Sequence, residues 1–249
     1  MSGHSKWATI KHKKGALDAK RGKIFSKLAK EISIAVKMGG PDPEANSRLR
    51  TVLIACRNAN MPKDNIERAI KRGSGEGGEN YEEVRYECYG PAGVAIVVDV
   101  LTDNKRRTVA DVRHIVTKHG GTMAEAGAVL WNFDQKGLIT VKKENLSEDD
   151  IMEKALEAGA EDVDTEGEMY EVYTAPNDLH TVLQNFEKMN LPIGEAKLTL
   201  KPKNLISVEN KSAASVLKLM EALEDMDDVQ DVYTNLDITD EAVAEAMSE

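Results

Sequence analysis

From Gly73 to Asn80 the chain reads Gly-Ser-Gly-Glu-Gly-Gly-Glu-Asn, with no apolar side chain to bury and glycine at four of the eight positions. Glycine loses more conformational freedom on ordering than any other residue, and no burial here offsets that loss. The run therefore reads as a linker, and it divides the chain into two parts that each need a core of their own. The spacing of apolar residues changes at the same place, from a helical period before it to alternating strands and helices after it.

Before the linker, Ile24, Phe25, Leu28, Ile32, Ala35 and Val36 recur at helical spacing until Gly39-Gly40-Pro41 stops the pattern. At ~100° per residue, Lys20, Lys23, Lys27 and Lys30 fall together on the opposite side, so one helix carries an apolar face and a lysine face. Asp42-Pro43-Glu44 reads as the cap, first-turn proline and first-turn acid of a second helix with Leu49, Val52, Leu53, Cys56 and Ala59 as its buried stripe. A third helix begins near Pro62, turns Ile66 and Ile70 inward and Arg68, Lys71 and Arg72 outward, and ends at Gly73. These helices define a module over residues 24–74, joined by a tether over 75–80 that leaves it free to reorient relative to the body.

Beyond the linker, Gly93 to Leu101 is a continuous apolar run suited to a central strand. Val109, Val112, Ile115 and Val116 mark a helix closed by Gly120-Gly121, and Val129 to Phe133 reads as a strand. Gly137–Val141, Ser147–Ala158, Glu161–Thr165, Met169–Thr174, Pro176–Met189 and Ile193–Leu200 then spell β-α-β-β-α-β, the split βαβ pattern. A strand at Leu205–Val208, a helix through Ala214, Val216, Leu217 and Met220, and a strand at Val229–Thr234 follow. Two βαβ fragments of two strands each are too small to stand alone, so they are expected to join across the complete unit. The fold class is thus α+β: an N-terminal three-helix module followed by two ferredoxin-like α+β domains, one inserted in the other. The outer domain takes residues 81–134 and 203–238, and the inserted one takes 135–202. Residues 239–249 form an acidic tail, either a short helix or disordered.

Charge is divided as sharply as structure. The chain carries a formal net charge of −10. Residues 1–74 nonetheless hold 17 Lys and Arg against 6 Asp and Glu, a net of +11, and the remainder holds 16 against 37, a net of −21. The densest basic stretch is an arm over residues 1–23 that contains Lys6, Trp7, Lys11, His12, Lys13, Lys14, Lys20, Arg21 and Lys23. Such a segment cannot bury a core but can follow a polyanion, and the competing reading is a solvated terminus.

The opening Met-Ser-Gly-His-Ser-Lys-Trp, followed by Ile10-Lys11-His12-Lys13-Lys14 and Gly22-Lys23-Ile24-Phe25, resembles the signature of the YebC family. The likeness continues through Tyr89-Gly90-Pro91, Gly93-Val94-Ala95, Leu101-Thr102-Asp103-Asn104, Arg107-Thr108 and Val232-Tyr233-Thr234-Asn235, so it spans the chain. Cys88 and Ala92 stand where such a protein is expected to carry glycine. The family includes bacterial proteins named as probable transcriptional regulators and the mitochondrial translational activator of cytochrome c oxidase subunit I. The resemblance implies a three-domain layout and regulation of gene expression, either on DNA or as a translation factor at the ribosome.

Two site hypotheses follow. The first is a nucleic-acid surface of Lys6, Trp7, Lys11, His12, Lys13, Lys14, Lys20, Arg21, Lys23, Lys27 and Lys30, with Trp7 either stacked on a base or tucked against the helices. The second is an anion site at Lys105, Arg106 and Arg107, cations that oppose the dipole in the first turn of a helix capped by Thr102-Asp103-Asn104. The alternative there is that Asp103 and solvent absorb the cost. Glu82, Glu83 and Glu87 are weighed as an acid or metal set against a solvated strand face, with the latter favoured.

No catalytic residue, cofactor or metal is assigned. The chain has no phosphate loop, no G-x-S-x-G and no H-E-x-x-H, and its two cysteines suffice for neither a disulfide framework nor a cysteine-built zinc site. No apolar run approaches the ~20 residues of a membrane span and no presequence is expected, which points to the cytoplasm. The expected partners are nucleic acid, as DNA or ribosomal RNA, and a protein contacted through the acidic domains. An interaction scaffold is the competing class.

Overall fold

The computed structural model describes residues 17–76 and 81–248. It is an α+β fold with N-terminal helices and two four-stranded sheets, and it divides into two compact units. The first unit holds the N-terminal helices and Gln135–Lys201; the second holds the chain from the end of the linker to Asp134 together with Pro202 onward.

In the first unit, α1 (Leu17–Gly39), α2 (Ser47–Asn58) and α3 (Lys63–Lys71) enclose a small core of Ile32, Ala35, Val36, Leu49, Val52, Cys56, Met61 and Ala69. Burial in this core pushes the Cys56 thiol up to about 11, so it stays a neutral apolar filler. Helix α2 is capped by Asn46, and Asp42-Pro43-Glu44 forms a turn ahead of it. The Asn46 side chain accepts from Leu49 N at 3.0 Å and donates to Ala35 O and Gly40 O at 2.8 Å each. One buried amide thus closes the end of α1 and opens α2, which Asp42 lies too far upstream to do.

Two further expectations change here. After α3 the chain makes one wide turn, Arg72–Glu76, and Gly73 lies so close to α1 that a Cβ there would meet Ser33 O at 2.6 Å. Gly73 is therefore a packing glycine, and the start of the expected linker belongs to the helical module. The module is also docked rather than loosely tethered. Arg50, Ile54 and Asn58, spaced four apart along α2, reach His180, the core of the 135–201 segment and Gly194 O respectively.

That segment contains β4 (Phe133–Lys142), α5 (Glu148–Ala158), β5 (Asp162–Asp164), β6 (Met169–Thr174), α6 (Leu179–Lys188) and β7 (Ile193–Pro202). The strands lie in the order β5-β6-β4-β7, with Ile139 beside Val172. A capping box between Ser147 and Asp150 starts α5, and Gly159 in the left-handed region ends it. Ile139, Val141, Val172, Ile151, Val182, Leu183 and Phe186 form the core between sheet and helices.

The second unit differs more from expectation. It contains β1 (Glu82–Tyr89), β2 (Ala95–Thr102), α4 (Lys105–Lys118), β3 (Thr122–Met123), α7 (Asn210–Glu224), β8 (Val229–Thr234) and α8 (Asp240–Ser248). The strand order is β3-β1-β2-β8, with β1-β2, β1-β3 and β2-β8 all antiparallel. A leading hairpin thus replaces the β-α-β-β-α-β order expected for this domain. Its turn runs through Ala92 at φ 58° and Gly93 at φ 76°.

Val129–Phe133 is not a strand. Leu130–Asn132 is a single 3-10 turn because the buried Glu87 carboxylate draws in Gly127 N at 2.6 Å, Val129 N at 2.7 Å and Leu130 N at 2.9 Å. Leu205–Val208 makes only one bridge, Ile206 to Leu236. The acidic C-terminal segment forms α8, and Ala242, Val243 and Ala246 are buried in the core built from Ile96, Val98, Val112, Leu217, Leu219 and Val232. Alternating acid and helical apolar residues made this segment ambiguous; the apolar stripe decides it.

Candidate nucleic-acid interface

Helix α1 carries the basic residues that the structure describes. Its buried side is Ile32, Ala35 and Val36, backed by Phe25, Leu28 and Ala29. Lys23, Lys27 and Lys30 lie on the side away from it, Lys23 exposed and the other two half-buried. Arg21 is exposed but sits about 100° round from Lys20, on the side of the apolar stripe, one turn before the core begins. Lys20 lies in α1, its side chain outside the described residues, as are Lys6, Trp7, Lys11, His12, Lys13 and Lys14 entirely.

Lys20, Arg21 and Lys23 follow closely on Leu17, where the described part of α1 begins. Helix α3 adds the exposed Lys63, Arg68 and Lys71. Lys63 pairs with Glu67 at 3.6 Å, and Arg68 donates to Asp64 O at 3.1 Å and to the Asn65 side chain. Arg48 is held by Glu31 at 2.7 Å and packs between α1 and α2, so it serves the fold. Sequence spacing had already turned Arg68 and Lys71 outward. Lys63 escaped because it precedes the apolar stripe of α3.

Lys105, Arg106 and Arg107 begin α4 as expected, behind an Asn104 cap that accepts from Arg107 N at 3.1 Å. Their electrostatics are resolved inside the chain. Lys105 pairs with Glu82 at 2.5 Å, and Arg107 pairs with Asp228 at 2.9 Å and Asp103 at 2.8 Å. Asp228 also accepts from Thr108 Oγ1 at 2.7 Å and Thr102 Oγ1 at 3.2 Å, both residues fully buried. The hydrogen bond that Arg107 donates to Asp228, seconded by the one to Asp103, holds its guanidinium protonated beyond its already high range. A carboxylate of the chain itself thus fills the place of the external anion, and of the three only Arg106 has no ion pair at 4.0 Å or less among the described residues.

Glu87 corrects the expectation of a solvated strand face. It is buried, and although burial alone would raise its carboxyl, the three N–H groups it accepts hold it below the usual carboxylate range. Glu82 and Glu83 are exposed on β1 as expected. Among the described residues no cluster of three or more His, Cys, Asp and Glu could hold a metal ion, and no helix is long and apolar enough to cross a membrane.

Residues 5–76 match the family described as the TACO1/YebC protein N-terminal domain, and residues 81–236 match the TACO1/YebC second and third domain. A protein of Desulfatibacillum aliphaticivorans named "Probable transcriptional regulatory protein" is 54% identical over 246 residues, covering 98% of this chain and all of that one. A protein of Dictyoglomus turgidum with the same name is 56% identical over 243 residues, covering 97% and 98%. The crystal structure of the conserved hypothetical protein Aq1575 from Aquifex aeolicus superposes with a TM-score of 0.89 at 49% identity, covering 95% of this chain and 98% of that one. Two family matches meeting at the linker, and relatives aligned end to end, make the chain a member of the TACO1/YebC family.

Proposed function

We propose that this protein is a non-enzymatic, cytoplasmic, nucleic-acid-binding regulator of gene expression that acts on DNA in the manner of a transcriptional regulator. One observation carries the reading: in a chain of net charge −10, residues 1–74 hold 17 Lys and Arg against 6 Asp and Glu, and Lys23, Lys27 and Lys30 lie on the side of α1 away from its core. The relatives' shared name supports it. The basic arm, with Lys6, Trp7, Lys11, His12, Lys13 and Lys14, extends the same surface in sequence. The likeness to a mitochondrial translational activator favours a second reading, an RNA-binding translation factor at the ribosome. The β-α-β-β-α-β order over 135–202 is read as a ferredoxin-like domain that supports the basic module, to which it is docked.

The test is a titration of the full chain against duplex DNA of about 20 base pairs and single-stranded RNA of the same length at several salt concentrations. Every phosphate that a variant leaves unneutralised should lower the slope of log affinity against log salt by about 0.9 on duplex DNA, so Arg21→Gln with Lys23→Gln should lower it by about 2. Binding that ignores salt, or a double variant as tight as the parent, would sink the proposal. Crosslinking in cells separates chromosomal DNA from ribosomal RNA as the target.

A further inference from the structure

The loop that Glu87 organises presents two aromatic rings. Trp131 is 66% exposed and Tyr89 is 40% exposed, uncommon values for such large side chains. Both are tied by their polar ends to one acceptor: Trp131 Nε1 donates to Ala128 O at 2.9 Å and Tyr89 OH donates to the same oxygen at 3.2 Å. Ala128 lies between Gly127 and Val129, whose N–H groups both bond to the buried Glu87 carboxylate. Lys203 Nζ donates to Trp131 O at 2.9 Å and pairs with Asp134 at 3.2 Å. The rings are therefore held by their edges on a fixed backbone, and their exposed apolar surfaces are not needed for the fold. Rigid aromatic side chains of this kind supply contact area at low entropic cost.

Charge selects what can rest on them. Residues 79–134 and 202–249 contain 9 Lys and Arg against 21 Asp and Glu, a net of −12. Glu125 is exposed in the same loop, and Asp134, exposed at the start of β4, is shared with Lys203. A nucleic-acid strand would be repelled by this field, whereas a cation would be attracted by both the carboxylates and the ring faces. We propose that Tyr89 and Trp131 form a docking platform for an arginine-bearing segment of a protein partner, separate from the basic surface of α1. The planar guanidinium stacks on an indole and pairs with a carboxylate at once, which an ammonium does less well.

The experiment uses the full chain carrying Trp7→Phe, so that Trp131 is the remaining tryptophan reporter. It is titrated with synthetic peptides of about 12 residues that alternate alanine with arginine, lysine or glutamate, and separately with single-stranded oligothymidine and oligouridine of like length. The arginine peptide should perturb Trp131 emission, bind more tightly than the lysine peptide and leave the glutamate peptide without effect. Trp131→Ala, followed by anisotropy of a labelled arginine peptide, should weaken binding at least about 10-fold, and Trp131→Phe should restore it to within about 3-fold. Both substitutions are at an exposed side chain, and thermal unfolding checks that they fold.

Four results would overturn the proposal. They are Trp131 responding to an oligonucleotide and not to the arginine peptide, Trp131 responding to neither, an alanine variant that binds the peptide as well as its parent, and a parent dimer that Trp131→Ala converts to a monomer. The first would make the platform a base-stacking site, and the last an interface between copies of this chain. None of these touches the salt dependence on which the nucleic-acid reading rests.

Discussion

Glu87 shows how far one residue can depart from its sequence context. It alternates with Arg85 and Tyr89 along β1, a pattern that reads as an exposed face, yet its carboxylate is the acceptor around which Gly127 to Leu130 is folded. Replacing it by Gln removes the charge and turns an amide N–H toward donors, which should cost about 2 kcal/mol of unfolding free energy. The carboxyl is held below its usual range, so its stabilisation is present above the unfolded value near pH 4.3 and is lost as pH falls through the folded value. The gap between parent and Glu87→Gln, measured by denaturant unfolding, should accordingly be flat from neutrality to about pH 5 and close below about pH 4. A gap that widens toward acid would show that the assigned charge state is wrong. Ala92 is a smaller instance: it adopts φ 58° in the β1-β2 turn, where glycine would sit without strain.

At the scale of elements, the start of α4 is held by Asp228, which arrives from the connection before β8. Asp228→Asn should cost about 1 to 2 kcal/mol, because two buried threonine hydroxyls and Arg107 lose a charged acceptor at once. Arg107→Gln should cost less, about 0.5 kcal/mol, since that side chain is half exposed. If thermal melts showed the arginine change to be the larger, Asp228 would not be the organising group. This lock explains what the sequence made legible and what it hid. Elements whose apolar period is self-contained were readable: β6 at Met169–Thr174 and β8 at Val229–Thr234 were found at their own bounds, and α1 at its Gly39 end, although residues 17–23, expected in the arm, also belong to it. Features made by distant partners were not. The cap at Asn46 depends on the end of α1, the turn at Leu130 depends on Glu87, and Lys105 and Arg107 find Glu82 and Asp228, none of which spacing reveals. Strand β1 is legible in sequence only as a solvated face at Glu82, Glu83 and Glu87 and has no place in the expected domain, because its charged residues mask the alternation of Val84, Tyr86 and Cys88.

For the whole molecule, the acidic C-terminal segment is structural. Ala242, Val243 and Ala246 bury against the second unit's core, so a chain ended at Thr239 should lose several kcal/mol, at roughly 25 cal/mol per Å² of apolar surface re-exposed. Calorimetry that finds the shortened chain as stable as the parent would return this segment to the status of a tail. The same unit is assembled from two stretches with the β4 to β7 segment between them, and β2 pairs with β1 on one side and β8 on the other. Ile96 must wait for Thr234. At ~5 to 20 residues per second, a growing chain presents the β1-β2 hairpin with one long edge uncovered for roughly 10 s before β8 is made. An uncovered apolar strand edge recruits other strands. The sheet of the first unit has no such gap, since β4 to β7 follow one another within residues 133–202. Synthesis is thus a period of vulnerability for the second sheet alone, and crowding of nascent chains on one message would raise the risk of pairing between neighbours at β2.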